Sequence, residues 1–260
     1  MESIKSRTKK SSKTLEDLNM KFLKRAEKVI AFNLQTSDFT SIEHKKEIQH
    51  LITKNFFPGF DTSKTLKSVN KTKLNALIKE LKSIDVGQFE KLHTYPLSGV
   101  GPGEATLYYL LDNGHLAGGG SKGVDLIVGD KKYEIKAVKK HKKEDIYYDF
   151  RLGGTVRLDD IMGELAVIKK KLGLPGTSSE IPTSQIAEIK KRVPEDYAKI
   201  EKKYGDRAYK YFKDDEIILI NHGGNKKDLG DIVYVGKIGR DNVGLERVTS
   251  NTIKPTFKFN

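Results

Sequence analysis

The chain contains no cysteine. Disulfide bridges and thiolate metal centres are therefore excluded, and a reducing intracellular compartment suits the composition. No apolar run is long enough to span a membrane, and the N-terminus lacks the apolar core of a signal peptide. An intracellular, soluble protein with no membrane partner is expected. Two glycine-rich stretches, 98–103 (SGVGPG) and 118–123 (GGGSKG), lack the GK[ST] of a P-loop. Neither leads a strand into a helix with dinucleotide spacing, which disfavours a nucleotide-binding enzyme. No internal repeat is present. Acidic residues are in deficit: 35 Asp+Glu stand against 48 Lys+Arg, a net charge of +13. Such a balance favours a polyanionic partner, nucleic acid before an anionic membrane surface, because no helix pairs a basic face with a broad aromatic one.

The 260 residues, 37% hydrophobic with 11 Tyr and 11 Phe, suffice for one ample core or a core domain plus a smaller one. The strongest local pattern is a hairpin. Residues 124–128 (VDLIV) and 132–138 (KYEIKAV) read as strands, and Gly129-Asp130 between them suits a two-residue turn. That turn pairs Val128 with Lys131, Leu126 with Tyr133, and Asp125 with Glu134. A four-residue loop would instead pair Asp125 with Lys136. In either register Asp125, Glu134 and Lys136 share one face, while Leu126, Tyr133, Ile135 and Ala137 share the apolar other.

Two carboxylates directly opposite across a strand pair repel. A divalent cation between them reverses that sign, since Mg²⁺ binds through one or two carboxylates plus waters and phosphates. Lys136 stands about 7 Å from Glu134 along the same face. Its ammonium is placed to hold an attacking water or meet charge developing on phosphorus. If Asp125 faces Glu134, removing one charge with Asp125→Asn is expected to raise the metal-free melting temperature. Glu-x-Lys alone is a weak signal in a Lys-rich chain. Glu104 strengthens it. Pro102-Gly103 opens a helix to about residue 112, with Leu107, Tyr108 and Leu111 at i+3, i+4 and i+7 from Glu104. Glu104 thus lies on the inward stripe. A carboxylate that merely complemented the helix dipole could equally face water.

Around this centre, residues 1–14 form a basic flexible tail. Amphipathic helices are expected over 15–34, 41–54 and 71–82, making 15–95 a helical N-terminal region. Phe56, Phe57 and Phe60 could stack on bases, although aromatics after a helix more often pack. Residues 131–143 hold seven Lys against one acid, Glu134. With Lys122, Arg151 and Arg157, the residues Lys139, Lys140, Lys142 and Lys143 are the expected phosphate contacts. His141 is read as surface. Helices are expected over 158–172, 184–193 and 195–212, the last two as a helical insertion around 180–213. A buried strand at 216–221 and closing strands at 231–235, 243–249 and 252–259 complete the pattern. His222, after a strand and before two glycines, suggests a general base, although such a residue is usually structural.

The order of helix Glu104, strand Asp125 and Glu134-x-Lys136, with eight residues between Asp125 and Glu134, resembles the PD-(D/E)XK, or restriction-endonuclease-like, nuclease superfamily. Val124 replaces the proline that often precedes the Asp. Only residues 113–123 separate helix from Asp strand, so the family's first core strand is expected to be vestigial or absent. The resemblance covers at most residues 96–220. It implies an α/β fold, a mixed central β-sheet flanked by helices, with a helical N-terminal extension before a nuclease domain at 96–260. Asp125 and Glu134 resemble the family's metal ligands, with the Ile135 carbonyl as a third. Lys136 resembles the residue that activates water, and Glu104 the helix acid that reaches the metal directly or through water. The implied activity is Mg²⁺-dependent hydrolysis of DNA, leaving 5′-phosphate ends, with Mn²⁺ able to substitute. A restriction or phage setting follows from the same resemblance. A catalytically weak or inactive nucleic-acid-binding protein on this fold and an RNA-directed nuclease are the alternatives. Composition sets neither endo against exo action nor the oligomeric state, and a dimer stays open.

Overall fold

A computed structural model describes residues 34–117, 124–140, 147–149, 159–176, 180–212, 216–223, 226–245, 248–249, 252–253 and 256–258. The expected basic tail and the helix at 15–34 lie outside these residues, except Leu34.

Five helices come first: α1 (Thr36–Thr40), α2 (Lys45–Phe56), α3 (Lys71–Ile84), α4 (Val86–His93) and α5 (Glu104–Leu110). Helix α3 starts where the Asn70 side chain accepts the Lys73 amide, and it buries Leu74, Leu77, Ile78 and Leu81 at helical spacing. Asp85 ends α3 and begins α4, its carboxylate accepting the Gln88 amide. Helices α1 and α4 were not anticipated from the sequence, being one and two turns long. Such short segments carry too few periodic positions to stand out.

Strands β1 (Gly114–Leu116), β2 (Leu126–Val128) and β3 (Lys131–Lys140) follow. Strand β1, antiparallel to β2, occupies the stretch expected to hold at most a vestigial strand. Beyond β4 (Tyr147–Asp149) come α6 (Asp159–Lys171), β5 (Glu180–Ile181), α7 (Thr183–Arg192) and α8 (Pro194–Phe212). The chain then returns as β6 (Glu216–Asn221) and β7 (Ile232–Gly236). The central sheet has the order β1-β2-β3-β6-β7, with β3 and β6 parallel and the other pairs antiparallel. Short strands close the fold. β8 (Val243–Gly244) and β11 (Thr256–Lys258) extend the sheet through β4, while β9 (Val248–Thr249) and β10 (Thr252–Ile253) pair with each other and β9 with β5. The protein is therefore α/β, a mixed sheet flanked by helices, with a helical N-terminal region.

Both faces of the sheet are covered, so β6 reads as a continuous apolar run. Its alternation divides the core. Ile218 and Ile220 join Leu126, Tyr133 and Ile135 under α2–α5, whereas Ile217 and Leu219 join Val138 under α6–α8. The helices expected as an insertion thus supply one of the two cores, through Ile186, Ile189, Tyr197, Ile200 and Tyr204. Phe56, Phe57 and Phe60 are buried, and Phe57 stacks on Tyr109 at 5.7 Å, so packing rather than base stacking employs them. Among the described residues no helix is long and apolar enough to cross a membrane.

Candidate active site

The hairpin has the two-residue turn that Gly129-Asp130 implied. Val128 pairs with Lys131 and Leu126 with Tyr133, and Gly129 sits at φ +60°, where a Cβ is disfavoured. Beyond Leu126 the ladder departs from the expected register. The Asp125 amide donates to Tyr133 O at 3.0 Å, although Tyr133 is already the ladder partner of Leu126. Two residues therefore address one, the arrangement of a β-bulge, which re-aims a side chain. The Asp125 carboxylate turns back and accepts the Ile135 amide at 2.8 Å. Asp125 is thus not a flat cross-strand partner of Glu134, because the bulge has moved it out of that position. In a strand, the N–H and C=O of one residue point the same way. The Ile135 carbonyl consequently faces the side on which Asp125 stands.

Glu134 is only 2% exposed, and its Oε1 pairs with the Lys136 ammonium. The same ammonium lies 3.8 Å from Asp125 Oδ2. Lys136 is therefore the counter-ion shared by two carboxylates.

Glu104 reaches this group from another element. Gly103 precedes it at φ +89°, and a Cβ there would lie 2.5 Å from Ile220 Cδ1 and 3.2 Å from His93 Cε1. The Gly103 amide donates to His93 O at 2.7 Å. Glycine is thus needed for the start of α5 to lie against the end of β6. At the other end of α5, Gln49 donates to Tyr109 O at 3.0 Å, and Lys45 Nζ donates to Tyr108 O and, at 2.7 Å, to Gly114 O. Burial pushes the Lys45 pKa down to about 6. The helix carrying Glu104 is held at both ends.

Glu104 is 7% exposed, facing inward as its helical spacing implied, and its Oε1 accepts the Gly101 amide at 2.8 Å. Burial, then the charge of Asp125, pushes its pKa up to about 8; Glu134 adds to the rise, and the Gly101 amide and Lys136 oppose it. All four predicted residues thus share one electrostatic neighbourhood, three carboxyl groups around one ammonium.

This donor set is hard oxygen, suited to Mg²⁺ or Mn²⁺, and its excess negative charge suits a divalent cation. The charge and the donor types fit such an ion. Asp125 and Glu134 would hold it, with the Ile135 carbonyl and Glu104 beside them. The present arrangement is nevertheless set around Lys136: among the described residues no group of three or more His, Asp or Glu side chains is placed to hold a metal ion.

Of the expected phosphate contacts, Lys139 is exposed on β3 and Lys140 ends that strand. Lys122, Lys142, Lys143, Arg151, Arg157 and His141 lie outside the described residues. The Ile135 amide, the bulge at Asp125 and the pairing of His93 with His222 were missed by sequence reasoning. Periodicity reports which face a side chain takes, and it carries no signal for any of these. No protein-family model, curated protein or solved structure matches the chain.

Proposed function

We propose that the protein is a nuclease that hydrolyses phosphodiester bonds of DNA with Mg²⁺, or Mn²⁺ in its place, at Glu104, Asp125, Glu134 and Lys136. The observation that carries this reading is the gathering of two buried acids, Glu104 and Glu134, with Asp125 and Lys136 in one neighbourhood. The charges come from a helix start, a bulged strand and a central strand. Stability alone gives no reason for the arrangement, since buried ionic groups are weak stabilisers and an apolar cluster would serve as well.

The cation, when bound, supplies Lewis acidity and a lowered pKa for water. Asp125 and Glu134 would hold it and balance its charge. The bulge and the Ile135 amide fix the Asp125 carboxylate in one direction. Lys136, which pairs with Glu134 and lies 3.8 Å from Asp125, stands where its ammonium would donate hydrogen bonds to the attacking water or to a phosphoryl oxygen. Glu104, protonated below about pH 8 without metal, is an O–H donor at the edge of the same site.

A second reading is a nucleic-acid-binding protein with little or no catalysis. It is favoured by the Lys136 ammonium already compensating Glu134 and Asp125, and by the absence of a three-ligand group among the described residues. One experiment separates the two. Linear and circular, single- and double-stranded DNA and RNA are incubated with the protein in Mg²⁺ or EDTA, beside Glu134→Ala. The nuclease reading expects cleavage that needs Mg²⁺ and is lost in the variant. Binding without cleavage of any of these substrates would leave the second reading.

A further inference from the structure

His222 follows the last residue of β6, and its amide donates to Val138 O at 2.8 Å, fixing it at the end of β3. Its ring stacks on His93 with centroids 5.4 Å apart, and His93 Nε2 stands 3.2 Å from His222 Nδ1. His93 is 1% exposed, and its Nδ1 is buried with no hydrogen-bond partner among the described residues.

These contacts favour one proton arrangement. His93 Nδ1 is unpaired in either tautomer, but a buried N–H without an acceptor is the rarer and costlier orphan, so the proton is placed on His93 Nε2 and donated to His222 Nδ1. Neutral His222 then carries its own proton on Nε2. Charging His222 would set N–H against N–H. Burial works in the same direction, pushing the His93 pKa down to about 3 and lowering that of His222. With one ring nitrogen accepting from His93 and the other protonated, His222 has no lone pair to serve as a general base. The 3.2 Å separation would also suit two ligands of one metal ion. An ion on His93 Nε2, however, would force the proton onto the partnerless Nδ1.

What remains is an exposed imidazole held in one tautomer as a neutral donor. It stands outside the carboxyl ends of the parallel strands β3 and β6, where open α/β sheets bind ligands. The Lys139 side chain packs against the next residue of the chain: a Cβ on Gly223 would be 2.7 Å from Lys139 Cγ. His93 also touches the Gly103 backbone position, one residue before Glu104.

We infer that His222 is a substrate-contacting residue, donating from Nε2 to a backbone phosphate oxygen of bound nucleic acid beside Lys139, with His93 as its positioning residue. This inference rests on the nuclease reading and adds a phosphate subsite to it. Nucleic-acid backbones receive such contacts from neutral and charged donors alike, and the two differ in one measurable respect. A cation releases counterions on binding phosphate. A neutral imidazole does not.

The test is fluorescence anisotropy of a labelled DNA duplex in EDTA across a NaCl series, using the full chain. His222→Ala weakens binding by about tenfold, the worth of one hydrogen bond to a charged oxygen, equally at every salt concentration. Lys139→Ala instead reduces the salt slope by about 0.9. His93→Gln, whose amide N–H replaces Nε2–H, binds like wild type, whereas His93→Leu matches His222→Ala. Nitrogen chemical shifts of the wild-type imidazoles report the tautomers without nucleic acid, and show a bare Nδ1 on both rings. A His222→Ala variant that binds like wild type, or one that changes the salt slope, overturns the inference. So does a Zn²⁺ stabilisation that His222→Ala abolishes. If wild type binds and cleaves while His222→Ala is indistinguishable from it, this subsite alone falls. If wild type binds no nucleic acid, the nuclease reading falls and takes the subsite with it.

Discussion

Asp125 Oδ2 accepts the Ile135 amide at 2.8 Å, across ten positions of sequence, and so continues with its side chain a ladder that its backbone has left. The carboxylate that was expected to suffer repulsion from Glu134 is therefore held by a backbone donor, with an ammonium 3.8 Å away.

That contact reverses one expectation about stability. In EDTA, Asp125→Asn keeps an oxygen acceptor for Ile135 but loses attraction to Lys136, a partly exposed pair worth about 0–1 kcal/mol. Its melting temperature is thus expected to equal or fall slightly below that of wild type, instead of rising. The metal response carries the functional content. Added Mg²⁺ or Mn²⁺ stabilises wild type by RT ln(1 + [L]/Kd), and the variant, lacking a carboxylate ligand, by much less. Equal shifts in thermal melts would remove Asp125 from the ligand set.

Glu134→Ala and Lys136→Ala should abolish Mg²⁺-dependent cleavage while binding to DNA persists, because exposed lysines rather than these two residues supply most of the affinity. Breaking a buried pair costs about 3–5 kcal/mol, so folding is checked by circular dichroism, with Glu134→Gln as the milder change. Wild-type cleavage rates in either alanine variant would show that the site is misassigned.

Two buried groups make stability depend on pH in opposite senses. Glu104 has a folded pKa of about 8, above the ordinary 4.5, so the native state holds a proton that the unfolded chain has lost. Its burial costs nothing below about pH 4.5, and the cost grows until about pH 8. His93 has a folded pKa of about 3, below the ordinary 6.5, so its contribution is intact above about pH 6.5 and is lost as pH falls toward 3. Melts in EDTA from pH 4 to 9 should show Glu104→Gln gaining on wild type as pH rises, and His93→Gln gaining as pH falls. Parallel curves for all three proteins would contradict both shifts.

Binding of wild type to duplex DNA should weaken steeply with salt, with a slope of roughly 0.9 per phosphate neutralised. The net charge of +13 motivates this expectation. Anisotropy titrations between low and physiological ionic strength measure the slope, and a flat dependence would reject a nucleic-acid partner.

The hairpin, its two-residue turn and the inward face of Glu104 were legible in the amino-acid sequence, because each depends on contacts a few residues apart. Period-2 alternation assigns Glu134 and Lys136 to one face, and the 3, 4, 7 spacing assigns Glu104 to the stripe of Leu107 and Tyr108. The helices at 159–171, 183–192 and 194–212 were visible for the same reason, with boundaries shifted by one residue. The bulge at Asp125 was not, since one extra residue in a strand changes no pattern of apolar and polar positions. Nor could local spacing show that Lys136 serves two carboxylates, that Lys45 caps a helix more than 60 residues away, or that His93 meets His222 across 129 positions. Those relationships were decided by which segments the two cores bring together. A buried polar atom takes its partner from whatever donor or acceptor the packed fold delivers, and nearness in the chain has no part in that choice.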